Sequence, residues 1–118
     1  MHVVEHIIQG AILLELGGKL DFSSRKEFLE AIQHATESDQ IHVIVDLKAI
    51  TYADDSAMSL LVIAHQKLIQ HHRRLSLLNP SEQLARTLHS MNFPRIFPIY
   101  TSLEEALKRK FGPFSLVN

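Results

Sequence analysis

The sequence predicts an α/β protein with a mixed, mostly parallel sheet of four to five strands and helices packed on it. Short runs of β-branched and aliphatic residues alternate with longer segments in which apolar residues recur at helical spacing. Such alternation is typical of right-handed crossovers between parallel strands. The 118 residues, 46% of them apolar, suffice for one hydrophobic core, so we expect a single domain over residues 1–118.

The chain should begin with a β-hairpin. Segments 3–8 and 11–16 are rich in β-branched and aliphatic residues, and Gln9-Gly10 between them suits a tight turn. The segment 17–21 contains two glycines and is expected to end the second strand.

A helix and a central strand are predicted next. Ser24 and Glu27 form a capping-box pattern, which places a helix from Ser24 to about Glu37. Segment 41–47 is short, mostly apolar and β-branched, as expected of a strand covered on both faces. We therefore place it at the centre of the sheet.

The second half of the chain repeats this alternation. A second helix is predicted from Ala57 to about His71, because the segment contains no Gly or Pro and is apolar on more than one face. A strand follows over 75–78. Asn79 and Pro80 should cap and open a third helix, whose apolar stripe is Leu84, Leu88 and Met91.

The last predicted elements are a short edge strand and a helix. Segment 96–100 is interrupted by Pro98, which suits an edge strand. The final helix should begin near Thr101 or Ser102 and end at Gly112.

Composition argues against several classes of function. The net charge is −1, with 12 basic and 13 acidic residues and no dense basic block, so neither nucleic acid nor an anionic membrane is expected as a partner. Cysteine is absent, which excludes disulfides and thiolate metal sites. The eight histidines form no HExxH pattern, so no metal or other cofactor is expected. The chain also lacks a membrane-length apolar run and a signal-peptide pattern, which predicts a cytoplasmic protein.

An enzyme is not expected either. Ser56 beside Asp54 could be a fragment of a nucleophilic site, yet no Gly-x-Ser-x-Gly elbow surrounds it and no histidine lies close in sequence. A histidine brought in by folding stays possible at this point.

The most informative segment is Asp54-Asp55-Ser56, between the predicted central strand and the second helix. A helix N-terminus presents unpaired backbone N–H groups and the positive end of the macrodipole, so oxygen-rich side chains or a phosphate are stabilised there. The segment is interpreted either as a helix cap with extra acidic residues or as a functional loop.

The chain resembles a STAS domain of the bacterial anti-sigma-factor antagonist family. Four segments carry the resemblance in the expected order: Gly18 to Asp21, Val45 to Met58, Phe97 to Tyr100, and Ser102 to Leu107. The resemblance implies a partner-switching module, which binds an anti-sigma factor that is also a serine kinase and is released from it by phosphorylation; a phosphatase reverses the modification. It also implies that the following residues form the acceptor loop and partner-binding surface: Asp21, Asp54, Asp55, Ala57 and Met58.

The acceptor loop departs from the family pattern. The family loop typically reads Asp-Ser-Ser/Thr-Gly, with phosphate on the first hydroxyl residue, whereas this chain has Asp55 at that position. In one hypothesis Ser56 is the phosphoacceptor, displaced by one residue. In the other, Asp55 supplies a fixed charge, and the chain is a non-phosphorylated STAS scaffold in a signalling or transport complex.

Overall fold

A five-stranded sheet organises the protein. The computed structural model describes residues 1–108. The strands are β1 (His2–Ile8), β2 (Ala11–Leu20), β3 (His42–Ala53), β4 (Arg74–Leu78) and β5 (Ile99–Tyr100). The helices within these residues are α1 (Arg25–Thr36), α2 (Asp55–Gln70), α3 (Glu82–Ser90) and α4 (Leu103–Lys108), with short 3-10 turns at Phe22–Ser24 and Phe93–Arg95.

The strands lie in sequence order, with β3 in the middle. β1 is antiparallel to β2, and the pairs β2–β3, β3–β4 and β4–β5 are parallel. The predicted fold class is therefore confirmed, as is the central position of segment 41–47. No helix in the described part of the chain is long and apolar enough to cross a membrane.

Strand lengths differ in a way that shapes the site. β3 pairs with β4 only as far as Asp46, which lies beside Leu78. It stays paired with β2 as far as Ala53, which lies beside Leu20. The C-terminal parts of β2 and β3 therefore project beyond the rest of the sheet as a two-stranded ribbon.

The main core lies between one face of the sheet and the helices. The apolar residues of α2 that recur at helical spacing are all buried, at no more than 3% exposure: Ala57, Leu60, Leu61, Ala64 and Leu68. A smaller cluster lies under α4 and contains Ala11, Leu13, Ile44, Leu78 and Ala106. The sheet is thus covered by helices on both faces, as expected for parallel strands.

Two predicted boundaries near the first helix are wrong. β2 does not end at Leu16 but continues to Leu20, because Gly17 and Gly18 pair with β3, and Gly18 adopts a φ of +94° that favours glycine. The capping box is formed by Asp21 and Ser24 rather than by Ser24 and Glu27, since Ser24 makes no side-chain cap of α1. Ser24 Oγ instead accepts from the Asp21 backbone N–H at 3.1 Å.

Boundaries near the third helix also differ. Ser81, rather than Asn79, caps α3, accepting from the Leu84 backbone N–H at 3.2 Å. Asn79 has a left-handed φ of 56°, which lies outside a cap's extended geometry. Met91 lies past the helix and is 48% exposed, so it does not complete the apolar stripe. The predicted end of the last helix at Gly112 lies outside the described residues.

Candidate functional site

The ends of β2 and β3 bring two aspartates side by side. Leu20 and Ala53 are neighbours in the parallel ladder, and Asp21 and Asp54 directly follow them. Both chains turn into a helix at this point: Asp21 precedes the 3-10 turn that leads into α1, and Asp54 precedes α2. Asp21, which the sequence placed in a turn, and Asp54, which it placed in the loop before α2, therefore lie at the same end of the sheet.

Asp54 is the N-cap of α2. Its backbone is extended, and its Oδ1 accepts from the Ser56 backbone N–H at 3.0 Å and from the Ser56 hydroxyl at 2.5 Å. A capping carboxylate stabilises a helix by about 1 kcal/mol, because it satisfies a backbone donor that the helix leaves unpaired. The cap interpretation is thus correct for Asp54, and the same contact orients the hydroxyl of Ser56.

Asp21 repeats the same arrangement. Its Oδ1 accepts from the Ser23 backbone N–H at 2.9 Å and from the Ser23 hydroxyl at 2.5 Å. The Ser23 hydroxyl bond is the main reason that the pKa of Asp21 lies below its ordinary value, and the charge of Lys19 acts in the same direction. Asp21 is therefore an ionised acceptor at neutral pH. Two Asp-x-Ser caps lie next to each other at this edge.

The loop is accessible at the predicted helix start. Asp54 and Asp55 are exposed and Ser56 is half-buried, at the first positions of the 16-residue α2. The Asp55 carboxylate makes no hydrogen bond or ion pair with any described residue. A free carboxylate and an oriented hydroxyl thus face solvent together at the positive end of the helix.

The other predicted binding residues are less accessible. Ala57 has 0% exposure and Met58 has 4%, so both belong to the core, although the resemblance implied that both form part of the partner-binding surface. Their side chains face inward because α2 packs its first turn on the sheet. Ala57 can therefore act only through the position of α2, whereas Met58 reaches the surface as part of the cleft described next.

A cleft of about 230 Å³ lies beside the loop, between the end of β3 and α3. Its walls include segment 50–55, Met58 and, from α3 and its cap, Ser81, Gln83, Leu84 and Thr87. The sequence analysis did not find this cleft, because it depends on how far β3 extends past β4.

A large apolar side chain also lies at this edge. Phe22 is 76% exposed and sits between the capping Asp21 and Ser23. An isolated exposed aromatic ring is an ordinary surface feature, but beside a polar loop it resembles the anchors that dominate protein interfaces. It was not singled out from sequence.

The loop's hydrogen bonds do not match those of a serine hydrolase. The Ser56 hydroxyl donates to a carboxylate, and no histidine takes part in the hydrogen bonds of this loop within residues 1–108. A nucleophilic serine requires a base that accepts its proton, usually an imidazole. Across the same residues, no group of three or more His, Asp or Glu side chains is arranged to hold a metal ion.

Solved structures with the same architecture come from several bacteria. An anti-sigma factor antagonist from Mycobacterium paratuberculosis has a TM-score of 0.80 at 18% identity, covering 91% of each chain. The phosphorylated form of the Bacillus cell fate determinant SpoIIAA has a TM-score of 0.69 at 19% identity, covering 92% of this chain and 98% of its own. A sulfate transporter family protein from Wolinella succinogenes has a TM-score of 0.73 at 16% identity, covering 87% of this chain and 86% of its own. At these identities the likeness shows the fold.

Sequence comparison gives the family. A STAS-domain containing protein of Pseudomonas aeruginosa (strain UCBPP-PA14) is 27% identical over 88 residues, which is 75% of this chain and 86% of the relative. The family model for the STAS domain matches residues 2–106, nearly the whole chain. The chain therefore belongs to the STAS-domain family.

Proposed function

We propose that this chain is an anti-sigma-factor antagonist whose binding to an anti-sigma factor and serine kinase is controlled by phosphorylation of Ser56. A phosphatase would restore the binding form. The observation that carries the proposal is the Ser56 hydroxyl, held by Asp54 at 2.5 Å in the first turn of α2 on an accessible loop. In this role residues 1–118 act as one STAS domain in the cytoplasm, by binding rather than by catalysis.

Phosphate on Ser56 would change the loop in two ways. It replaces the hydroxyl donor, so the side-chain bond to Asp54 is lost. It also adds a charge of about −1.5 to −2 beside the carboxylates of Asp54 and Asp55. The dipole of α2 stabilises part of this charge, while the neighbouring carboxylates repel it. A partner fitted to the unmodified loop therefore meets both a changed shape and a changed potential.

The structural relatives support this role. Anti-sigma factor antagonists share the fold over nine-tenths of the chain, and one of them is a protein solved in a phosphorylated form. Serine is the residue class that such a switch requires, and the accessible serine of this loop is held in place by a hydrogen bond rather than buried in the core.

A second function is favoured by a specific residue. Asp55 occupies the position at which the family pattern has its acceptor, and its carboxylate is exposed and unpaired among the described residues. A fixed carboxylate mimics phosphate in part, with one charge instead of about two. In that case the chain is a docking subunit without a phosphate cycle, as in a signalling or transport assembly.

Phosphate mapping separates the two functions. The wild-type protein would be incubated with ATP and each candidate serine kinase of its own genome, and modified residues located by mass spectrometry. The proposal requires phosphate on Ser56, lost in Ser56→Ala and retained in Ser23→Ala. Ser23 is the matched control, because it makes the same pair of hydrogen bonds to an aspartate. Phosphorylation that appears only in Asp55→Ser would establish the docking-subunit function instead.

A further inference from the structure

The outer edge of β3 is unpaired along its last residues. β4 accompanies β3 only to Asp46, and residues 49, 50, 52 and 53 pair with β2 on the other side, with a bulge at Thr51 where the register shifts. Among residues 1–108, no other backbone group outside this ladder bonds to 49–53. The intervening amide of Lys48 is bound by Asp46 Oδ1 at 2.9 Å, so the free edge begins after it. An unpaired strand edge is a template for a further strand.

Residues 50–53 of the free edge line the 230 Å³ cleft. The opposite wall is α3, which contributes hydroxyl and amide groups from Ser81, Gln83 and Thr87. Two apolar side chains, Met58 and Leu84, line the cleft at its buried side, with 4% and 7% exposure. A groove of this composition can form hydrogen bonds with the backbone of an extended peptide and can contact the apolar part of one of its side chains.

The charge in the cleft has one sign. Asp54 and Asp55 line one end, and none of the lining residues is Lys, Arg or His. The half-exposed ring of Tyr52 lies in the same wall, where it can contact a cation through its face. A side chain with an apolar stem and a cationic end, arginine or lysine, complements this combination.

We infer that the cleft takes an extended segment of a protein partner, which adds as a strand to residues 49–53 and places an Arg or Lys beside Asp54 and Asp55. The inference rests on the proposed function, because it names the part of the partner that meets the switch loop. Residues 49–53 span about 16 Å when extended, enough for a segment of comparable length that follows the bulge at Thr51. Phosphate on Ser56 would attract the bound cation, so release of the partner must come from the changed shape of the loop, in which the hydroxyl bond to Asp54 is lost.

Selection of peptides tests this inference without the natural partner. A phage-displayed library of random heptapeptides would be panned on the wild-type protein, and enriched peptides synthesised for anisotropy titrations and hydrogen exchange. We expect enriched sequences to carry Arg or Lys and to protect the amides of 49–53. Gln83→Arg should weaken their binding by about tenfold or more, because it puts a cation into the cleft. Gln66→Arg on the exposed side of α2 is the matched control and should change binding by less than about twofold.

Several results would overturn the inference. They are a failure to enrich any peptide, enriched peptides without a cation, and peptides that bind Gln83→Arg as tightly as wild type. Circular dichroism of both arginine variants shows whether a loss reflects unfolding. The kinase assay on Ser56 is independent of these titrations. If Ser56 is phosphorylated but no peptide binds in the cleft, only the cleft inference is rejected. If peptides bind in the cleft but Ser56 is never phosphorylated, only the proposed phosphorylation switch is rejected.

Discussion

Removing the Asp54 side chain tests how the switch loop is built. Asp54→Ala deletes the acceptor for the Ser56 backbone N–H and hydroxyl, whereas Asp54→Asn keeps an acceptor and removes only the charge. Loss of the cap costs about 1 kcal/mol, within a range of roughly 0.5–2. The half-buried Ser56 hydroxyl still reaches water and can bond to it instead, so the loss of its bond to Asp54 adds little. We therefore expect Asp54→Ala to lower the free energy of unfolding by about 1–2 kcal/mol and Asp54→Asn by less than about 0.5.

The measurement is guanidinium unfolding followed by circular dichroism at 25 °C, supported by the thermal midpoint. For a chain of this length, 1 kcal/mol corresponds to about 4 °C in Tm. Repeating the thermal scans in 1 M NaCl separates the two contributions, because salt screens the charge–dipole attraction and leaves the cap hydrogen bond. Equal losses in Asp54→Ala and Asp54→Asn would show that charge rather than hydrogen bonding holds the loop. No loss in either variant would refute the cap.

Three further outcomes are expected. Leu61→Ala should lower the free energy of unfolding by about 2–5 kcal/mol in denaturant titration, because Leu61 is fully buried, while the exposed Gln66→Ala should stay within about 0.5. Burial lowers the pKa of His65 below 6.5, so the unfolded chain binds the proton more readily and the free energy of unfolding should fall as pH drops below 6.5; an unchanged pH slope in His65→Gln would contradict this. In calorimetry with the kinase that modifies the loop, Ser56→Ala should bind like wild type and Ser56→Asp more weakly. Identical binding by all three, with phosphorylation only in Asp55→Ser, would assign the acceptor position to residue 55.

Elements with a regular spacing of apolar residues could be predicted from the local sequence. Apolar spacing alone located the buried face of α2 and the buried first half of β3, although β3 begins at His42 and continues to Ala53 instead of ending at Leu47. The cap at Asp54 was also readable, since an acidic and hydroxyl cluster before an apolar run is a local signal. These features depend on residues within a few positions of one another.

Other features depend on distant partners. β2 continues through Gly17 and Gly18 because β3 pairs beside it, and the space at Gly17 is filled by the ring of His2. The cap of α3 is Ser81 rather than Asn79 because the chain must first leave β4 through a left-handed residue. The pairing of Asp21 with the loop and the cleft beside it arise from strand lengths, which no local pattern encodes.

The twin caps at the ends of β2 and β3 also bear on the entropy of recognition. Asp21 and Asp54 each hold a backbone amide and a hydroxyl before any partner arrives, so the loops have few conformations left to lose on binding. Ordering a flexible side chain at an interface costs about 0.5–1.5 kcal/mol, and this surface has already met part of that cost during folding. Affinity should then depend on fit and charge, and a modification of Ser56 would act by disturbing a preorganised surface rather than by ordering a loose one.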